Sequence, residues 1–120
     1  MVSKECLAAG KPYLDIWMRH YDAFMAAGQY FVMGMAEEDK KAFQRRLVDL
    51  HSEIVENYNM KLINESEFSS FHDLLESAAE SLNKDNGANT RQALGKLGGT
   101  ALNLTFDKVI DCECKKHGQV

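Results

Sequence analysis

Between Leu14 and Met35 the chain is apolar nearly all the way round a helix. One heptad seam runs Leu14, Trp17, Tyr21, Phe24, Gly28, Phe31 and Met35, and Met18, Met25 and Val32 form a stripe beside it. The side left for water still carries Ile16, Ala23, Ala26, Tyr30 and Met33, wetted only by Asp15, Arg19, Asp22 and Gln29. A surface helix has one apolar stripe and one polar face, and a helix that is apolar all round is buried. Two arrangements satisfy this pattern. Either the other helices wrap this one completely, or a second chain covers its outer face. Monomers rarely leave a large apolar patch in water, and twofold dimers are the commonest closed assembly. The expectation taken here is therefore a homodimer with Ile16, Ala23, Tyr30 and Met33 at its contact.

The remaining chain reads as three more helices. Glu37, Glu38 and Asp39 place negative charge at a helix start, where the macrodipole favours it. Downstream, Phe43, Leu47, Leu50, Ile54 and Tyr58 form one seam, with Val48 and Val55 beside it. Arg45, Asp49, Ser52, Glu53 and Glu56 face the other way, which makes this the cleanest amphipathic helix of the chain. Asn64 followed by Glu67 has the spacing of a capping box. The seam after it is Phe68, Phe71, Leu75, Ala78 and Leu82. The run Asp85-Asn86-Gly87-Ala88-Asn89 is the strongest loop signal. The last helix carries Leu94, Leu97, Ala101 and Leu104, continued by Leu102, Phe106, Val109 and Ile110. Gly95, Gly98 and Gly99 predict a kink or break near its middle, and Gly95 and Gly99 predict a close helix contact, opposite Gly28. Pro12 suits the first turn of the first helix. The fold expected is all-α: a mostly antiparallel four-helix bundle with a long apolar first helix and a glycine-kinked last one. It forms a single domain over residues 1–120, with 1–10 and 115–120 as frayed tails.

Composition narrows the function classes. A net charge of −4 opposes a sequence-independent grip on nucleic acid or on an anionic membrane. Lys40, Lys41, Arg45 and Arg46 are the local exception, but at helical spacing they splay rather than align, so nucleic acid is not the expected partner. No run of about 18 apolar residues suggests a membrane span, and residues 1–11 lack the apolar core of a signal peptide. Three cysteines, two of them separated by one residue, do not look like a disulfide framework. Reduced thiols in a cytoplasm are the simplest expectation.

No catalytic signature is present. There is no nucleophile elbow, and Gly95-Lys96-Leu97-Gly98-Gly99-Thr100 lacks the spacing and the preceding strand of a phosphate loop. Cys112, Cys114 and His117 resemble half of a metal clip, without the ligands that would complete it. His20, His51 and His72 each flank an apolar seam, and such flanks can converge inside a bundle. The sequence thus supports a non-catalytic interaction or assembly module with no cofactor or metal, whose partner is another copy of itself. The alternative is a small-molecule pocket lined by Trp17, His20, Phe24, His51 and His72. One consequence for the core follows directly. Leu50→Ala is expected to cost about 2–5 kcal/mol as a core truncation; denaturant unfolding that shows less than about half a kcal/mol would mean the helical period of this segment is misread.

Overall fold

A computed structural model describes residues 3–34, 36–84 and 86–117, with Phe31 described in its backbone only. Met35 and the side chain of Phe31, both in the seam drawn above, lie outside the described residues. Four helices run in chain order: α1 Lys4–Met33, α2 Glu37–Asn59, α3 Glu65–Asn83 and α4 Gly87–His117. They form an antiparallel bundle in which α1 neighbours α2 and α4, and α3 neighbours α2 and α4. Phe43, Leu50, Ile54, Phe71, Leu82, Leu94 and Leu97 are fully buried between them. No described helix is long and apolar enough to cross a membrane.

Local signals explain the boundaries. The Asn64 side chain accepts from the Glu67 amide at 2.8 Å, and the Glu67 carboxylate accepts from the Asn64 amide at 2.9 Å, completing the box expected at α3. At the end of α2 the Leu62 amide bonds back to the Asn57 carbonyl and the Lys61 amide to that of Tyr58. This is a Schellman motif, and its left-handed position holds Lys61 at φ 62° where glycine is usual. At the other end of the molecule Gly34, at φ 73°, stops α1.

Three features differ from expectation. First, α1 begins at Lys4, so residues 4–10 are helical and Pro12 lies inside the helix rather than in its first turn. Second, α1 and α4, at 30 and 31 residues, are much longer than α3, at 19, and the molecule is 58 Å long. The α2–α3 turn lies level with Tyr13 and Lys108, so the start of α1 and the end of α4 project beyond it as a two-helix stalk. The stalk is tied by a Cys6–Cys112 disulfide with Cα atoms 5.3 Å apart. Glu113 also accepts from the Ser3 amide there at 2.7 Å. Two of the three thiols are therefore paired, and only Cys114 is free. Spacing alone hid this bond because its partners lie 106 residues apart.

Third, α4 runs unbroken through its glycines. Gly98 is the close contact instead of Gly95 and Gly99: a methyl group built on Gly98 would fall inside the His20 ring. Gly99 and Gly28 have open space at that position, and Gly95 only brushes Phe24 at 3.4 Å. Gly10 repeats the device in the stalk, where a Cβ would sit 2.8 Å from the Thr105 carbonyl oxygen and from Val109. Glycine thus serves backbone approach at Gly10 and Gly98, and the helix bears the propensity loss. The two adjacent glycines should respond oppositely to the same change. Gly98→Ala overpacks His20 and is expected to destabilise by about 1–3 kcal/mol. Gly99→Ala meets nothing and is expected to stabilise by up to about 1 kcal/mol. Urea unfolding of the two variants checks the contrast, and equal effects would refute the contact.

Candidate interaction surface

The inward face of α1 mixes small residues with larger rings. Cys6, Tyr13, His20 and Ala27 recur every seven residues, interleaved with Ile16, Ala23 and Tyr30, and all are buried. The sequence-based assignment of faces is therefore inverted. Ile16, Ala23 and Tyr30, expected at a dimer contact, lie in the core of the bundle, and only Met33, 82% exposed, stays outside. The physical reason is the packing of α4. α4 approaches through Ala93, Leu94, Leu97, Gly98 and Ala101, and Gly98 lets it come down onto His20, with Trp17 and Phe24 packed at the edge of the core.

A second set of large apolar residues faces outward. Met18 is 59% exposed, Tyr21 47%, Met25 54% and Val32 78%, with Leu14 and Leu7 exposed on the same side. Leu14, Met18, Tyr21, Met25, Gly28 and Val32 recur with alternating gaps of four and three, the spacing of a coiled-coil seam. Among the described residues no other helix covers this second seam.

The residues expected to share a pocket fall into two places. On α1, Trp17, His20 and Phe24 form a ladder, with His20 ring centroids 6.0 Å from Trp17 and 5.8 Å from Phe24. The His20 ring nitrogen Nδ1 lies 2.7 Å from the Trp17 carbonyl oxygen, so it carries the proton and donates. Burial lowers the His20 pKa, against the opposing pull of that carbonyl, so the ring stays neutral in the core. His51 and His72, with centroids 5.5 Å apart, instead flank a groove between α2 and α3. That groove, of roughly 370 Å³, is floored by Leu47, Leu75 and Leu82, and none of Trp17, His20 and Phe24 lines it. His72 Nδ1 is buried without a partner, and Nε2 lies 3.5 Å from Glu76. Among the described residues no cluster of three potential ligands is placed to hold a metal. The tail clip also comes apart: Cys112 is bonded to Cys6, and His117 lies 3.0 Å from Glu113.

One polar node was not anticipated. Tyr13 donates to Glu67 Oε1 at 2.6 Å, and Lys108 lies 3.1 Å from Glu67 Oε2 and above the Tyr13 ring. The carboxylate that caps α3 therefore also receives α1 and α4. Burial pushes Glu67 upward, but the Asn64 amide, the Tyr13 hydroxyl and Lys108 outweigh it, and the carboxyl titrates below its ordinary value. Burial, then the bond to Glu67 and its charge, push the Tyr13 phenol well above its ordinary value. Each of these groups has a partner, and the node clasps α1, α3 and α4 together at the edge of a cleft.

Comparison with known families, curated proteins and solved structures finds no match.

The clasp has a pH signature. With Glu67 depressed, its contribution is full above the ordinary carboxylate pKa and is lost as pH falls through the lower folded value. With Tyr13 raised, its contribution is full below the ordinary phenol pKa of about 10 and is lost as pH rises beyond it. Tyr13→Phe is expected to cost about 1–3 kcal/mol at neutral pH and to flatten the alkaline fall in stability. Urea midpoints measured from neutral pH to above about pH 10 check this. An unchanged alkaline limb would show that another group causes it.

Proposed function

We propose that this protein is a non-catalytic interaction and assembly module that self-associates through the outer face of α1. The observation that supports it is the exposed 4–3 seam from Leu14 to Val32. Leu14, Met18, Tyr21, Met25 and Val32 lie on one side of a single helix, and an apolar stripe of this extent marks a contact site. The bundle already buries the opposite side of α1, so the seam is not needed for the fold. Methionines suit such a surface because their flexible thioethers repack against an imperfect partner. The self-contact expected from the sequence is thus moved from Ile16, Ala23 and Tyr30 to the face behind them.

Nothing in this role calls for a nucleic acid. Arg46 shares its cleft with Asp15, Asp22, Asp49 and Glu53, so its positive charge is locally balanced. The expectation of a cytoplasmic protein rested on three reduced thiols and on the lack of a signal-peptide core in residues 1–11. A Cys6–Cys112 cross-link is maintained most readily in an oxidising compartment, so the first of these premises no longer holds.

Met18→Glu combined with Met25→Glu tests the proposal. Both residues are more than half exposed, so the variant should keep the parent's circular dichroism and fold as a monomer. In solution the parent should have the mass of a dimer and the variant that of a monomer. A parent that is monomeric at tens of micromolar, or a variant that stays dimeric, would defeat the proposal.

A further inference from the structure

We infer that the second copy lies antiparallel along α1, with Leu14 against Val32, Met18 against Gly28 and Tyr21 against Met25, an inference that rests on the self-association proposed above. The gaps along the seam run four, three, four, three, four, so the seam reads the same in both directions. A twofold axis beside residue 23 therefore superposes it on its own reverse, as an isologous contact requires.

Side-chain size then selects the direction. Gly28 is the one position in the seam without a side chain, and a Cβ built there meets no atom within 4 Å. Parallel chains would set Gly28 against Gly28 and leave a void, which forfeits packing. Antiparallel chains set the gap opposite Met18, a long flexible side chain suited to filling it. The exposed parts of the seam residues amount to on the order of 500 Å² per copy, so complete coverage removes at most about 1,000 Å², the lower limit for a specific contact. A pair held by this seam is therefore a weak, reversible dimer.

The arrangement sends the two stalks to opposite ends. Cys112 is level with Cys6, so Cys114 is level with Lys4. That is nineteen residues from the axis, and at about 1.5 Å per residue the two Cys114 side chains lie about 55–65 Å apart. In a parallel pair they would lie level, separated only by helix-packing distances, at most about 35 Å. Cys114 is the protein's free, exposed thiol, so the unmodified chain can be spin-labelled there without disturbing the disulfide.

The experiment is a pulsed dipolar distance measurement on the Cys114-labelled protein, together with sedimentation of the parent, Gly28→Leu, Met18→Ala and the double variant. The expected result is a dimer with the long distance. Each single variant should weaken dimerisation by at least about tenfold, through overpacking or a void. The double variant, which exchanges large for small across the layer, should recover to within a few-fold of the parent. Asp22→Asn should tighten the pair several-fold in low salt, because this register places both Asp22 carboxylates at the rim beside the axis. A dimer with the short distance, or one tightened by Gly28→Leu, overturns the antiparallel register and leaves self-association standing. Losses that simply add in the double variant also overturn the register. A monomeric parent, or a dimer that survives Met18→Glu with Met25→Glu, overturns self-association and the register together.

Discussion

The close pairing of α1 with α4 is the constraint on which the rest of the structure depends. It is made by residues of little volume: Ala23 and Ala27 on one side, Gly98 and Ala101 on the other, with Gly10 admitting Thr105 and Val109 in the stalk. Small residues let two backbones approach, and tight packing rather than bulk supplies the dispersion contacts. His20 sits in this seam opposite a glycine and is bonded to its own helix through Trp17. A neutral imidazole can be buried there because its protonated nitrogen already has an acceptor. The two long helices then set the molecule's length, and α2 and α3 pack alongside part of it.

The places where that support ends are reinforced. Beyond the α2–α3 turn, α1 and α4 have only each other, and a lone pair of helices buries little. The disulfide, the Ser3–Glu113 bond and the Gly10 contact lie in that stretch. At the junction itself, Glu67 caps α3 while receiving Tyr13 and Lys108. One side chain therefore ends a helix and fixes the level of two others. Its partners come from three elements, so the node ties the shorter hairpin to the longer one at a single height.

Much of the architecture was legible in the sequence, and the reason is local. The seam Phe43, Leu47, Leu50, Ile54 and the capping box at Asn64 and Glu67 depend on residues within a turn or two of each other, and both stand as expected. What failed depends on the partner. On α1 two heptad seams coexist, and hydrophobicity favours the one rich in Met, Tyr, Trp and Phe. The helix instead buries the one containing Ala23, Ala27 and His20, because α4 presents glycine and alanine there. No reading of α1 alone contains that information. The same holds for Gly98 over Gly99, which differ in the structure only by what faces them. For Cys6 and Cys112 the signal was weaker still, since their proximity exists only after both long helices have paired.

The inversion of α1 separates two properties that usually compete on one helix. In most amphipathic helices the bulky apolar residues serve the core, so changing them to alter recognition also damages the fold. Here the face carrying Ile16, His20, Ala23 and Ala27 serves the fold, and the face carrying Met18 and Met25 is left outside it. Met18, Tyr21, Met25 and Val32 lie outside the core, and more than four-tenths of each remains exposed. Their hydrophobic gain is realised only when something covers them. A surface built this way is free to change partner or affinity by substitution without passing through an unstable protein. It is also the part of the chain that favours aggregation when left uncovered. The seam is interrupted by Gly28 and flanked by Asp15 and Asp22. A gap limits the area buried against an unmatched surface, and the carboxylates keep the helix hydrated at its edge.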